Sequence, residues 1–302
     1  MVLCSAPGKV YLFGEHAVVY GKAAIACAVD LRTRVRAEVA SSFRIESEIA
    51  VTGLDFEKHP YVSAVIERLQ EFVSIEGVSI KVDSDLPVGS GLGSSAAVTI
   101  ASLGALNELF GCKLELETLA KLGHEIELRV QGAASPTDTY VSTFGGVVTL
   151  PDRRKLPSPE CGIVIGDTGF FSSTKELVTN VRLLKERYPE LIEPLLSSIG
   201  NISGLGEAFV REKDYASVGK LMDVNQGLLD ALGVSSLELS KLIYAARDSK
   251  AFGAKLTGAG GGGCMFALTA PKNSRAVAEA LQKAGGKSII TKATGQGLKV
   301  ET

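Results

Sequence analysis

The glycine-rich segment Pro87-Val88-Gly89-Ser90-Gly91-Leu92-Gly93-Ser94-Ser95 contains residue types that bind phosphate. Its three alternating glycines lack a Cβ atom, so backbone amides can approach an anion closely. A helix beginning at Ser94 would direct its positive end and its free amides to the same place. Ser95 would then offer a hydroxyl to a phosphate-bound Mg²⁺. The alternative is a tight turn whose serines cap the helix.

Two known glycine-rich motifs do not match this segment. The dinucleotide-binding fingerprint requires G-x-G-x-x-G, but here Gly91 is followed by Gly93 and then by Ser94. The P-loop pattern ends in Gly-Lys-Ser/Thr, which this segment lacks. The missing fingerprint counts against an oxidoreductase that binds a dinucleotide.

A second glycine-rich segment, Thr257-Gly258-Ala259-Gly260-Gly261-Gly262-Gly263, separates two apolar runs typical of strands. A flexible linker usually joins domains and contains serine, whereas this segment lies inside the C-terminal half. Close approach of the backbone to a ligand and a plain turn both remain open. Two such segments, one in each half of the chain, indicate a ligand at the interface between two domains.

Two charged residues lie in contexts that suggest a site. Lys9 interrupts an apolar run, where a surface lysine with a buried stem is the alternative. Asp138 follows the turn signal Ser135-Pro136-Thr137, where capping is the alternative. The three histidines are too scattered to predict a zinc site: His16, His59 and His124.

The composition excludes several classes of protein. The 302 residues contain 32 basic and 34 acidic side chains, so no strong positive field favours nucleic acid or an anionic membrane. The five cysteines are odd in number and dispersed, which indicates reduced thiols in a cytoplasmic protein. The longest uncharged window, 86–107, holds too few apolar residues for the ~20 that a membrane span needs.

Hydrophobic periodicity predicts an α+β fold. Alternation of apolar and polar residues or short apolar runs predict strands at 32–39, 78–82, 140–150, 162–165, 264–268 and 287–291. Helical spacing predicts helices at 60–72, 94–110, 116–130, 174–187, 191–211, 215–232, 237–251 and 274–284. No repeat of fixed period is present, which disfavours a solenoid.

Residues 151–159 contain three prolines and four charged residues, a composition typical of a linker. We therefore predict two domains. Residues 1–155 would form the first domain and residues 156–302 the second.

Three segments, in this order, resemble the signature motifs of the GHMP family of small-molecule kinases: residues 7–21 (PGKVYLFGEHAVVYG), 89–97 and 257–263. The resemblance spans nearly the whole chain, and the first motif is most similar to that of the family members that phosphorylate mevalonate. It implies that residues 1–155 form a domain like ribosomal protein S5 domain 2 that binds nucleotide and Mg²⁺. It also implies that residues 156–302 form a ferredoxin-like domain that completes the substrate cleft. It also implies transfer of the ATP γ-phosphate to the 5-hydroxyl of mevalonate in isoprenoid synthesis. Homodimers are common among relatives, so the resemblance also suggests a homodimer.

The resemblance also implies roles for individual residues. Residues 87–95 match the nucleotide-binding loop, and Ser95 and Glu127 align with the Mg²⁺ ligands. Asp138 corresponds to the aspartate proposed to accept the substrate proton, and Lys9 to the lysine beside it. Further positions associated with substrate contact, besides Lys9 and Asp138, are Glu15, His16, Ser135, Thr174 and Gly260.

One departure from the family concerns the substrate carboxylate, because Ser172 stands where eukaryotic relatives tend to have arginine.

Two other functions remain as alternatives. A kinase for phosphomevalonate would need extra basic residues at the acceptor end. A ligand sensor without activity would have lost catalytic groups, whereas Lys9, Ser95, Glu127 and Asp138 are all present.

Overall fold

The computed structural model describes residues 1–132 and 134–301. The elements of the first half are β1 (Val2–Phe13), β2 (Ala24–Val39), β3 (Arg44–Glu46), β4 (Val51–Thr52), α1 (Pro60–Leu69), β5 (Val78–Ser84), α2 (Ser94–Phe110), α3 (Leu116–Gln131), α4 (Pro136–Phe144), β6 (Val147–Leu150) and β7 (Lys155–Leu156). Those of the second half are β8 (Gly162–Asp167), α5 (Thr174–Arg187), α6 (Pro189–Glu212), α7 (Tyr215–Ala231), α8 (Leu237–Asp248), β9 (Ala251–Leu256), β10 (Cys264–Thr269), α9 (Ser274–Lys283), β11 (Lys287–Thr291) and β12 (Lys299–Glu301).

The first sheet is built on β1 and β2, which pair antiparallel over most of their length. Its strand order is β12-β1-β2-β5-β3-β4, with β6 and β7 added beside β2. Helix α2 is apolar around most of its circumference and lies almost wholly buried between the sheet and α1, α3 and α4. This central position fixes the start of α2, and with it the segment that precedes the helix.

The second sheet has the order β11-β8-β10-β9, and all of its neighbouring strands are antiparallel. In chain order this is fourth, first, third, second, which is the ferredoxin-like arrangement. Helix α9 connects β10 to β11, and the four helices α5–α8 lie between β8 and β9 in the chain. The predicted ferredoxin-like topology of the second half is present.

One apolar core extends across both halves of the molecule. It includes Val10 and Phe13 of β1 together with Ile165 of β8 and Phe266 of β10. Helix α6 packs against β1 at Gly206, where a Cβ atom would collide with the ring of Phe13. Burial of apolar surface from both sheets therefore holds the two halves against each other.

Most predicted elements are confirmed. The helices predicted at 94–110 and 174–187 have the predicted bounds, and the strand predicted at 287–291 is β11. The remaining predicted helices and strands are present with shifted ends, apart from the segment 140–150. In the described ranges, no helix has the length and apolarity to cross a lipid bilayer.

The strand predicted over 140–150 is wrong in its first part. Residues 136–144 form α4, and two glycines with positive φ, Gly145 and Gly146, separate this helix from β6. The Ser135 side chain caps the helix and Pro136 occupies its first turn. These start signals outweigh the β-propensity of residues such as Tyr140 and Val141.

The predicted boundary between residues 155 and 156 stays a prediction. The predicted linker contains the short strand β7, which pairs with β6 of the first sheet. The end of the chain also returns to that sheet, since β12 pairs with β1 at Leu3–Glu301 and Ser5–Lys299. Sequence periodicity did not indicate this return, because three residues are too few to show a pattern.

Candidate active site

Helix α4 carries Asp138 in its first turn. The Ser135 hydroxyl accepts a hydrogen bond from the Thr137 amide at 3.2 Å and donates one to Thr137 Oγ1 at 2.7 Å. Ser135 therefore caps the helix, whereas capping was the alternative role considered for Asp138. Its side chain and that of Asp138 both contribute to the wall of a large cavity.

Lys9 lies in the middle of β1 and is 2% exposed. Its ammonium nitrogen is 3.2 Å from Asp138 Oδ2 and donates to the Gly91 carbonyl at 3.2 Å. The surface-lysine alternative is thereby excluded. The Tyr11 hydroxyl donates to the other carboxylate oxygen of Asp138 at 3.2 Å. An ammonium and a phenol thus hold a carboxylate that is 24% exposed toward the cavity.

The first glycine segment joins β5 to α2 in a backbone conformation that requires glycine. Gly89, Gly91 and Gly93 all have positive φ, between 64° and 79°. These three glycines line the cavity, as do Ser94 and Ser95 at the start of α2. The free amides of the helix start and the positive end of its dipole therefore lie at the cavity wall.

Two other predicted residues of this segment, Ser90 and Leu92, are buried, and Pro87 is half-buried. The Ser90 hydroxyl donates to the Pro87 carbonyl at 2.8 Å. The Leu92 side chain is fully buried, and its carbonyl accepts the Lys9 amide at 2.8 Å. Pro87, Ser90 and Leu92 thus brace the loop, and a direct contact of these side chains with a nucleotide stays a prediction.

The second glycine segment packs directly on the first. A Cβ atom on Gly258 would lie 2.6 Å from the Gly91 Cα, and one on Gly263 would lie 2.8 Å from the Ser90 carbonyl oxygen. The Cys264 amide donates to that same carbonyl at 2.9 Å. Glycine is therefore required here mainly because two backbones meet.

Ser95 and Glu127 form a buried hydrogen bond at one side of the cavity. The Ser95 hydroxyl donates to Glu127 Oε1 at 2.7 Å, and the Glu127 side chain is 2% exposed. Burial raises the pKa of Glu127 to about 8, and the charge of Asp138 adds to this, while Ser95 and Lys9 oppose it. Among residues 1–132 and 134–301, no cation forms an ion pair with this carboxyl, and Lys9 acts on it only as a nearby charge.

His16 and Glu15 follow the end of β1. His16 Nε2 lies 2.8 Å from the Ala259 carbonyl oxygen, and burial lowers the pKa of His16, which favours the neutral ring. Glu15 is 1% exposed and forms an ion pair with the buried Lys255. Both residues contribute to the cavity wall.

Thr174, the first residue of α5, is exposed and lines the cavity. The Gly260 carbonyl accepts the Ser172 hydroxyl at 2.6 Å. Gly260 is not among the residues that line the cavity, so the structure does not bring it to the predicted substrate position. A Cβ atom there would collide with the Val234 carbonyl oxygen, so Gly260 permits close packing.

The cavity has a volume of about 1150 Å³. Its wall contains apolar side chains from the first half, including Val62, Val82, Leu86 and Val98. It also contains polar and charged side chains from both halves, including His16, Ser172, Thr174 and Lys175. The cavity therefore has the size and mixed character of a site for small ligands.

Comparisons with known proteins place the chain in a family. Family models described as GHMP kinases N terminal domain and GHMP kinases C terminal match residues 60–146 and 207–287. A protein of Pyrococcus abyssi named mevalonate kinase is 47% identical, and the alignment covers 100% of this chain and 98% of that protein. The chain belongs to the GHMP kinases. The predicted family, its two-domain fold of helices and sheets and its ATP-dependent small-molecule kinase activity are confirmed.

Other relatives agree with this assignment. A mevalonate kinase of Archaeoglobus fulgidus is 42% identical over 88% of this chain and 92% of its own length. The crystal structure of the Methanococcus jannaschii mevalonate kinase has a TM-score of 0.84 at 28% identity, with 97% of this chain and 98% of that chain covered. A mevalonate kinase of L. major, solved in complex with R-mevalonate, has the same fold, with a TM-score of 0.85 at 24% identity over 97% and 96% of the two chains.

The residues of this GHMP kinase fit Mg²⁺ at the Ser95–Glu127 pair. Mg²⁺ prefers oxygen ligands and is commonly held by one or two carboxylates together with substrate phosphates. A hydroxyl and a buried carboxylate meet these needs beside the glycine loop, and a divalent cation would favour ionisation of Glu127. The assignment of Ser95 and Glu127 as ligands stays a prediction.

Three residues of the kinase site were missed by sequence reasoning. Tyr11 holds Asp138, Lys255 holds Glu15, and Gln131 lies 3.4 Å from both Ser95 Oγ and Glu127 Oε1. A signal for Lys255 was present, since this lysine interrupts the apolar run before the second glycine segment. Tyr11 and Gln131 have no such signal, because tyrosine is common in strands such as β1 and glutamine is common in helices such as α3.

Proposed function

We propose that this GHMP kinase transfers the γ-phosphoryl group of ATP to the 5-hydroxyl of mevalonate, giving 5-phosphomevalonate and ADP. The observation that carries the proposal is the position of Asp138, which faces the cavity beside Lys9 and the first glycine segment. The names and the high identity of the archaeal relatives support mevalonate as the acceptor.

In the proposed reaction, Asp138 accepts the proton of the acceptor hydroxyl. The oxygen of that hydroxyl forms a bond to the γ-phosphorus, while the bond from this phosphorus to the bridging oxygen of ADP breaks. The Lys9 ammonium, 3.2 Å from Asp138, stabilises negative charge on the carboxylate and on the emerging alkoxide.

The glycine segment and the start of α2 bind the polyphosphate through backbone amides. The apolar side chains of the wall suit a purine ring, and its polar side chains suit a small hydroxy acid. Bound Mg²⁺, held by Ser95 and Glu127, would neutralise phosphate charge. The burial of Glu127 and its hydrogen bond from Ser95 support this assignment.

A substrate panel tests the proposal. ADP release is measured with mevalonate, phosphomevalonate, homoserine and galactose in parallel, and we expect mevalonate to give the highest kcat/KM. A higher value with phosphomevalonate would contradict the proposed acceptor. The predicted homodimer and the predicted cytoplasmic location stay predictions.

A further inference from the structure

A second lysine–carboxylate pair lies beside the proposed catalytic residues and is more deeply buried. Lys255 in β9 is 0% exposed, and it forms an ion pair with Glu15, which is 1% exposed. The Lys255 ammonium also donates to the Leu256 carbonyl at 2.7 Å and to the Tyr11 carbonyl at 3.4 Å. It therefore ties the end of β1 to the strand that leads into the second glycine segment.

The two carboxylate oxygens of Glu15 have different surroundings. One is bound to Lys255, whereas Oε2 is buried without a hydrogen-bond partner among the described residues. Glu15 also contributes to the cavity wall. A buried carboxylate oxygen without a partner is unfavourable, and a hydroxyl of a bound ligand would satisfy it.

The charged groups that face Glu15 come from two elements. Lys255 belongs to β9, and Lys9 belongs to β1. The neighbouring ring of His16 is hydrogen-bonded to the Ala259 carbonyl, and burial lowers the pKa of His16. Burial raises the pKa of Glu15, and Lys255 is the largest influence against this rise.

We propose that Lys255 is a positioning residue for the acceptor: it holds Glu15 as a carboxylate, with one oxygen on the ammonium and the other free to accept a hydrogen bond from an acceptor hydroxyl. The proposal rests on the proposed function, because the acceptor must occupy the same cavity. Lys255 acts through Glu15 and touches no reacting atom.

The first test is the Lys255→Met variant, assayed by ADP release with mevalonate over a range of pH. Without the cation, burial favours the protonated form of Glu15, so the hydroxyl of the acceptor meets a neutral carboxyl in place of a charged oxygen, and the hydrogen bond is weaker. We expect KM for mevalonate to rise by about 10- to 100-fold, the range for a hydrogen bond to a charged group, while KM for ATP changes little. This KM falls again as the pH rises and Glu15 ionises, a step that wild type lacks.

Arg247→Met is the matched control. Arg247 donates to the carbonyl of Ala254, the residue before Lys255, at 2.9 Å, and it pairs with Asp223 at 2.8 Å. Neither Arg247 nor Asp223 is among the residues that line the cavity. We expect this variant to leave KM for mevalonate and its pH dependence unchanged. An equal change in both variants would mean that Lys255 merely stabilises β9, which overturns the proposal.

A double-variant comparison keeps the test decisive if Lys255→Met alone does not fold. Glu15→Gln is compared with Glu15→Gln/Lys255→Met, which replaces the buried pair by neutral groups. Equal KM values for mevalonate support a role that acts through Glu15. A further rise in KM in the double variant overturns the proposal, because Lys255 would then act on something else.

Infrared spectroscopy separates this proposal from the proposed function, since it needs no turnover. Two difference spectra isolate the bands of the Glu15 carboxyl. One compares wild type with Glu15→Gln, and the other compares Lys255→Met with Glu15→Gln/Lys255→Met. We expect the band of a neutral carboxylic acid in Lys255→Met at neutral pH and its absence in wild type. A neutral acid in wild type, or a carboxylate in Lys255→Met, overturns the proposal. Failure of wild type to use mevalonate would instead contradict only the proposed function.

Discussion

Two carboxylates on consecutive helices face the same cavity in different surroundings. Asp138 on α4 is 24% exposed and lies against an ammonium and a phenol, those of Lys9 and Tyr11. Glu127 on α3 is buried and receives a hydrogen bond from the Ser95 hydroxyl. Burial raises the pKa of Glu127 to about 8, and the charge of Asp138 adds to this rise.

The difference shows that surroundings, more than residue type, separate the roles of two acids in one site. An accessible carboxylate beside an ammonium group is placed to take a proton from a ligand. A buried carboxyl beside a hydroxyl has a raised pKa, and a bound cation would favour its ionised form. The same cavity therefore has one side suited to proton transfer and another suited to Mg²⁺.

The largest expected effect is that of Asp138→Asn. Loss of a general base lowers kcat by about 10²- to 10⁴-fold, and KM for mevalonate changes less. The measurement is ADP release under saturating ATP and mevalonate, with Asp30→Asn as a control in an exposed ion pair with Lys292. Near-normal turnover of Asp138→Asn would contradict the role of Asp138 as proton acceptor. It would also contradict the different roles assigned to Asp138 and Glu127.

The Glu127→Gln variant tests whether the pKa of the buried Glu127 carboxyl is raised, through the pH dependence of the free energy of unfolding. The folded protein holds the Glu127 proton up to about pH 8, whereas the unfolded chain releases it near the ordinary value of 4.5. The folded state thus binds more protons between these values, and the free energy of unfolding of the ligand-free protein falls as the pH rises through this window. At about 1.4 kcal/mol per pH unit, the fall attributable to Glu127 is of order 3–5 kcal/mol.

Urea unfolding at several pH values, in wild type and in Glu127→Gln, measures this fall. We expect the difference in free energy of unfolding between the two proteins to change across the window, with the variant gaining relative stability at high pH. A constant difference would mean that Glu127 ionises in the folded protein at its ordinary pKa, which would contradict the effect of burial on this carboxyl.

Ser95→Ala has the smallest expected effect. Loss of the hydroxyl raises the Mg²⁺ concentration needed for half-maximal activity by about tenfold, with kcat at saturating Mg²⁺ changed less. Ser102→Ala, a buried position on the same helix, serves as the control. The structure does not support capping by Ser95, because the N-cap of α2 is Gly93 and no side chain of the described residues caps the helix. An unchanged Mg²⁺ requirement together with a loss of stability would mean that the Ser95 hydroxyl serves only its hydrogen bond to Glu127.

Local signals were sufficient for much of the fold and for part of the site. Helix α2 begins and ends where its apolar run and flanking glycines predict, and α5 begins at the residue that follows its Ser173 cap. The first glycine segment and Asp138 were found in the same way, because loop conformation and helix capping depend on a few consecutive residues. Helix α4 was the failure, since strand-forming residues concealed a short capped helix.

The sequence by itself determined that the fold is α+β and that Lys9 and Asp138 are unusual in their contexts, and it predicted a phosphate-binding loop before α2. Only the tertiary structure decided which groups meet. The Tyr11 phenol reaches Asp138 across 127 residues of sequence, and Lys255 reaches Glu15 across 240. Such contacts follow from the packing of two sheets on one core, because burial of apolar surface chooses the arrangement that brings these residues together.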